Sequence, residues 1–449
     1  MSNVNPFLIM ALQLDLDYSA SLTPQEFDRF ASLIDPEWID EALQQTGTVS
    51  VRRRRLPADR MIWLVIGLAL FRNEPIWHIV KQLDLADGPA TSVPVPSASV
   101  AGRERLGEAP LEWLFNRTAS CWSDRALTEN ALFHGLRSFA VDGVVWSVPS
   151  TSENDGQFGR PRAGDGRDGA WPQLRAVCLM DTYSHLVRAV DFGDCHTGEL
   201  SYAKTLTQAA PDNSLTIFDR AYFSAAFLLD WQQSGQQKHW LIRARTSLRH
   251  EVVCQFAPGD QLIRLPVSPQ ARQQRPDLPS HWQARLIECT VGGQPRRFLT
   301  SLHDAQRFPA RDIAAHYVQR WEIELGFREI KQGMLKKNPT LRSKLPQLVR
   351  QEVWGMLIAY NLLRHEIAQM ADELHVPPQR LSFQWLALAI VTALYHWPLE
   401  TPGTLPKRLA WLREQASTYL LPERRTRSYP RTIKSRKSKY PTKHASPLN

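Results

Sequence analysis

Hydrophobic and polar positions divide the chain into three stretches of different period. Residues 1–135 read mostly as helices. Within them SVRRRRLPADRMIWLVIGLALFRNEPIWHIVKQLDL (50–85) carries a basic start and then an apolar helix. A turn at Arg72–Pro75 leads into a second helix, with Pro75 near its first turn, where proline is tolerated. A Pro-rich connector, DGPATSVPVPS (87–97), follows. In SASVAGRERLG (97–107) Ser97 can cap a short helix presenting Arg103 and Arg105. That succession suggests a helix-turn-helix-like DNA-binding module, although helical bundles often carry surface arginine as well.

From 136 to 245 the pattern becomes strand-like at 139–148, 173–181, 186–193, 214–219 and 239–244. Helical stretches intervene at 198–209 and 223–234. Three strands in succession, then alternating helix and strand, predict a mixed sheet flanked by helices. Residues 248–302 read as short strands with turn signals (APGD, VGGQ), a β-rich insertion. Long helices return at 310–333 and 345–373, and a further helical region runs to about 416. No internal repeat is visible. The predicted organisation is an α/β protein with a helical N-terminal DNA-binding domain (1–135), a catalytic domain (136–372) and a helical C-terminal region with a basic tail (373–449).

Composition narrows the class. The 449 residues suffice for two or three domains, and 43% hydrophobic with 22% charged residues is ordinary for a globular protein. The most apolar run, MIWLVIGLALF (61–71), is too short to span a bilayer. No secretory signal is evident, and no membrane partner is expected. Five cysteines (121, 178, 195, 254, 289) form no CxxC pair, which suits a reduced, cytoplasmic protein. The net charge of +9 equals the nine Lys and Arg between Arg424 and Lys443, where no acid occurs. Such an arm points to a polyanion, with a solvated terminus as the bland alternative.

Three carboxylates stand out. Asp142 lies inside the apolar run FAVDGVVW, costly in a buried strand unless paired or bound to a cation, although Asp-Gly is also a hairpin turn. Asp219 ends the strand SLTIFD, either as a helix cap or as a ligand at a strand's carboxyl end. In HYVQRWEIELGFREIKQ (316–332), Tyr317, Arg320, Glu324 and Lys331 fall within about 60° of arc on a helix. Spacing alone leaves a solvated face with one i,i+4 pair as a fair reading. Taken together, the three acids can hold two divalent cations for phosphodiester chemistry. Oxygen ligands without Cys or His favour Mg²⁺, with Mn²⁺ as substitute. Basic Arg320 and Lys331, with Tyr317, would then hold the DNA backbone. Asp181 is the strongest rival to Asp142, while Asp191 and Asp194 read as strand-end and loop acids. No HExxH, Walker loop or dinucleotide fingerprint is present.

At these residues the chain resembles the DDE transposases of bacterial insertion sequences, in the insertion-sequence-4 branch. YVQRWEIELGFREIK fits that branch's Tyr-x2-Arg-x3-Glu-x6-Lys signature without a gap, and VDGVVW and IFDRAYFS fit its two Asp motifs. The basic N-terminal helices and tail look similar too, so the resemblance covers nearly the whole chain. One departure is DRAY, where many relatives have Gly; Ala221 is a mild change in a turn. The resemblance implies an RNase H-like core with the β-strand insertion between Asp219 and Glu324. It implies Asp142, Asp219 and Glu324 as the metal-binding triad, with Tyr317, Arg320 and Lys331 contacting transposon-end DNA. It implies Mg²⁺-dependent cut-and-paste transposition by a homodimer that pairs two DNA ends, usually through a hairpin, in bacterial cytoplasm at the nucleoid. Relatives use an insertion-domain Trp to stabilise a flipped base. Trp282 is the candidate, with a core Trp as the equal alternative. The competing readings are a non-catalytic DNA-binding protein or decayed transposase, and a sequence-nonspecific nuclease.

Overall fold

The computed structural model describes residues 34–49, 56–83, 85, 96–126, 128–162, 168–245, 247–291, 293–336, 340–396 and 411–422. The basic tail 424–443, the Arg52–Arg55 run and most of the Pro-rich connector lie outside these residues.

Among the described residues five helices precede the sheet: α1 (Pro36–Gln45), α2 (Ala58–Leu70), α3 (Ile76–Gln82), α4 (Pro96–Leu106) and α5 (Ala109–Arg125). The apolar run forms α2, in which every residue from Met61 to Leu70 is buried. Ser97 falls inside the first turn of α4, which starts at Pro96, so it is not the cap. Arg103 is 3% exposed rather than presented to a ligand. Its guanidinium donates to Gln351 Oε1 at 2.8 Å and to the Leu348 carbonyl at 2.9 Å. A buried guanidinium must spend its donors on partners, and of the two arginines on that helix Arg105 alone is exposed.

The short β1 (Leu132–Phe133) pairs with β2 (Leu136–Ser147). After α6 (Ser152–Phe158), β3 (Gln173–Asp181) and β4 (Val187–Asp194) complete an antiparallel meander with β2. α7 (Glu199–Thr205) leads to β5 (Ser214–Phe218), parallel to β2, and α8 (Ala225–Gln233) leads to β6 (Lys238–Arg243), parallel to β5. The spatial order β4-β3-β2-β5-β6 is the RNase H-like mixed sheet. The insertion adds β7 (Glu251–Ala257), β8 (Asp260–Pro266), α9 (Pro269–Gln274), β9 (His281–Val291) and β10 (Gln294–Thr300). It does not form a separate layer: β10 pairs antiparallel to β6, so the sheet runs on through β9 and β8 to β7, ten strands in all.

The predicted helix at 310–333 is instead four joined segments. They are α10 (Ala310–His316), a 3₁₀ turn (Tyr317–Arg320), α11 (Trp321–Arg328) and a π-turn (Glu329–Met334). α12 (Pro346–Glu373) and α13 (Phe383–His396) follow. α12 is buried nearly all round because α2 and α5 pack on it while it covers the sheet. The period of two in β2 sorts its side chains between two cores. Ala140, Val144 and Trp146 join the N-terminal helices, α11 and α12, while Phe139 and Val141 face α7 and α8. Among the described residues no helix is long and apolar enough to cross a membrane.

Candidate active site

Asp142 belongs to the row of Ala140, Val144 and Trp146, so it points to the same side of the sheet as α11. It pairs with Cys178 in mid-strand, which settles strand over hairpin turn. β5 is parallel to β2 with Val141 opposite Phe218. One residue further on, the two strands carry Asp142 and Asp219 side by side, where neighbouring strands lie about 4.8 Å apart. β5 ends there. Asp219 turns the chain, its carboxylate accepting from its own neighbour, Arg220 N, at 2.6 Å. Asp219 thus caps the 3₁₀ turn Arg220–Tyr222 and directly follows the carboxyl end of β5, while Ser224 caps α8.

α11 brings Glu324 to the Asp142 side of the sheet. Arg320 joins the two acids, its Nη2 2.7 Å from Glu324 Oε1 and its Nη1 3.4 Å from Asp142 Oδ2. Its guanidinium also stacks over Trp321, 5.1 Å from the ring centroid. Burial pushes the Asp142 carboxyl up to about 6, against the Gly143 N–H and Arg320, with Glu199 and Glu324 adding to the rise. Glu199, at the start of α7, approaches from the opposite face of β2. A Cβ on Gly143 would lie 2.5 Å from the Glu199 carboxyl carbon, so any side chain there would displace the Glu199 carboxyl. The sequence reading missed Glu199, and a glycine directly after a mid-strand acid was the available sign.

The remaining expected residues divide. Tyr317 does not offer its hydroxyl outward: it donates to the Phe218 carbonyl at 3.3 Å while the ring packs on Phe298. Burial pushes that hydroxyl up to about 12. Lys331 lies in the π-turn, half-buried, its pKa lowered by burial alone. It makes no hydrogen bond to the acids. Trp282 is 5% exposed and packs 5.6 Å from Trp240 and 6.4 Å from Phe223, which fits its alternative as a core residue. Asp181 is spent at the far end of β2, bound to Arg137 at 2.8 Å and to the amides of Tyr183 and Ser184. Asp194 caps its own loop through His196 and Thr197, and Asp191 accepts from Thr205.

Among the described residues no three His, Cys, Asp or Glu side chains close on one point at metal-holding distance. The donor set nonetheless fits a divalent cation in kind. It is all oxygen, it is anionic, and it includes one carboxyl whose burial calls for a countercharge. In the structure Arg320 supplies that charge between Asp142 and Glu324.

Residues 24–116 match the family described as Insertion element 4 transposase N-terminal, and residues 134–362 match the Transposase DDE domain. The transposase InsG for insertion sequence element IS4 of Escherichia coli (strain K12) is 40% identical over 91% of this chain and 92% of its own. InsZ of the same strain is 35% identical over 54% of this chain and 79% of its own. The piggyBac transposase synaptic complex with hairpin DNA superposes with a TM-score of 0.42 at 10% identity, covering 90% of this chain and 88% of that one. With both domain matches in order and that identity along almost its whole length, the chain belongs to the insertion-sequence-4 family of DDE transposases.

Proposed function

We propose that this transposase cuts and rejoins transposon-end DNA at one site formed by Asp142, Asp219 and Glu324, in cut-and-paste transposition. The observation that carries the reading is the meeting of mid-β2, the end of β5 and α11: Asp142 and Asp219 follow paired positions on parallel strands, and Arg320 ties Asp142 to Glu324. Two divalent ions held there, Mg²⁺ or Mn²⁺, would supply the charge that activates a water or 3′-hydroxyl and stabilises the leaving oxygen. Asp142, Asp219 and Glu324 would be the ligands. Arg320, released from its two carboxylates, can turn its planar fork to a phosphate. Tyr317 holds the end of β5 through the Phe218 carbonyl and so places Asp219. Lys331, with no carboxylate bonded to it among the described residues, remains a free cation for the DNA backbone. The partners on this reading are the element's terminal inverted repeats, then target DNA, with two copies of the chain pairing two ends.

The test is cleavage of a duplex carrying the terminal repeat and its flank, in Mg²⁺ or in EDTA. Cuts at the repeat boundary that need Mg²⁺ and vanish in Asp142→Ala, Asp219→Ala and Glu324→Gln, with end binding kept, are the expected result. Binding without cuts in Mg²⁺ and Mn²⁺ alike would establish a DNA-binding protein instead. Cuts spread along unrelated DNA would establish a nonspecific nuclease.

A further inference from the structure

The helix that carries Glu324 is held from behind by a buried network. Its face toward the core presents two acids, Glu322 and Glu329, seven residues apart. His185, 1% exposed and in the left-handed region at φ 63°, sits in the β3–β4 turn between them. Its Nε2 is 2.9 Å from Glu322 Oε2, and its Nδ1 is 2.7 Å from Arg364 Nη2. Nδ1 also lies 3.4 Å from Glu329 Oε2, so the ring touches both acids and the guanidinium. Arg364, also 1% exposed, takes Glu329 with two nitrogens: Nε at 2.9 Å from Oε2, and Nη2 on Oε1. Tyr360 OH donates to the same carboxylate at 2.8 Å. Burial would raise the Glu329 carboxyl, but Arg364 and then His185 outweigh it and hold it down at about 2.

The register gives this network a consequence. Glu324 and Lys331 are also seven apart, each two residues beyond a clamped acid. Two residues are about 200° of helix, so the clamped pair and the proposed site pair lie on opposite faces. Fixing Glu322 and Glu329 therefore fixes the roll of the helix about its axis, and with it where Glu324 meets Asp142. The helix also changes form at Glu329, where the π-turn bearing Lys331 begins. π-turns are rare, and they persist where their surroundings over-determine them. A bidentate, buried Arg–carboxylate pair is such a surrounding.

We propose that Glu329, Arg364, His185 and Tyr360 are positioning residues of the transposase, a clamp that sets the roll of the Glu324 helix and the π-turn of Lys331. The proposal rests on Glu324 and Lys331 acting as assigned above.

The experiment compares full-length wild type with Glu329→Gln, Arg364→Lys and Tyr360→Phe. It reads melting temperature, end-duplex affinity, single-turnover cleavage and its Mg²⁺ half-saturation, and amide exchange across 321–334. Expected for Glu329→Gln are cleavage reduced roughly ten- to a hundredfold, as for a misplacement of about 1 Å, a raised Mg²⁺ half-saturation, and exchange that quickens in 321–334 alone. End affinity stays within about twofold, because the clamp lies on the buried face away from the site. Should Glu329→Gln fail to fold, Tyr360→Phe decides, since it removes one hydroxyl and no volume; about three- to tenfold slower cleavage is expected. Folded variants with wild-type cleavage, Mg²⁺ dependence and exchange overturn the clamp. So does a loss of cleavage that only tracks loss of end binding and melting temperature, the mark of general destabilisation. A wild type that binds ends without cutting would instead sink the function proposed above, and exchange protection in 321–334 would then decide the clamp by itself.

Discussion

Asp142→Asn tests the electrostatic cost of the site directly. The wild-type carboxyl moves from an ordinary 3.8 to about 6 on folding, chiefly through burial. At 1.36 kcal/mol for each tenfold, keeping it ionised costs the fold about 3 kcal/mol at neutral pH. Solvent reaching a carboxylate that is 22% exposed trims the figure, and about 2 kcal/mol is expected. The sign follows from the raised folded value. The folded state holds the proton more tightly, so the penalty is absent below pH 3.8, grows as pH rises toward 6 and is complete above it. Asn keeps the size and the acceptor for Gly143 N, and Arg320 keeps Glu324. The variant should therefore be inactive yet more stable than wild type at pH 7.5, with the gap closing by pH 4. Urea unfolding at pH 7.5, 5 and 4 reads this as a shift in midpoint. Mg²⁺ should raise the wild-type midpoint and leave the variant's unchanged, because a bound cation removes the penalty. A variant equal to or weaker than wild type at pH 7.5, or a gap that ignores pH, would refute the reasoning and mean that Arg320 already compensates the charge.

Other substitutions probe the placement of single groups. Gly143→Ala puts a methyl 2.5 Å from the Glu199 carboxyl; that flexible side chain can swing away, so thermal melting should show a loss of under about 1 kcal/mol, while the cleavage assay reads any effect of moving the Glu199 charge from Asp142. Tyr317→Phe removes the bond to the Phe218 carbonyl, so a loss of about 0.5–1.5 kcal/mol and slower cleavage at unchanged end affinity are expected in unfolding and gel-shift measurements. Trp282→Ala should cost about 3–5 kcal/mol as a core truncation, whereas Trp282→Phe should keep both folding and cleavage; a Phe variant that folds but loses cleavage would return Trp282 to the DNA.

Legibility followed physical range. Strands were visible because burial on both faces writes continuous apolar runs: QLRAVCLMD reads as a strand and is one, from 173 to 181. Asp142 was visible because a carboxylate interrupts such a run, and that interruption is itself the anomaly a site creates. What stayed hidden needed partners far away in sequence. Arg103 looks like a surface arginine until Gln351 and Leu348, some 250 residues on, fold over it. Trp282 looks like a free ring until Trp240 and Phe223 close on it. The change to a π-turn at Glu329 is not signalled in REIKQGM; the partner that holds Glu329 there, Arg364, lies on another helix.

The same contrast explains how the catalytic helix is built. Its site-facing side carries Arg320 and Glu324 at a spacing the sequence displays, with Tyr317 turned to the end of β5 and Lys331 half-buried in the π-turn. Its inward face carries Glu322 and Glu329, which the same spacing would have assigned to solvent. A helix with acids on both faces is unstable against the core unless one set is paired. His185, Arg364 and Tyr360 provide that pairing. The outward acid is left with only Arg320, a partner that can move. The helix thus keeps its fixed charges behind it and its exchangeable charge in front, the arrangement the proposed function would require of a surface that trades an arginine for a cation and a phosphate without shifting its own backbone.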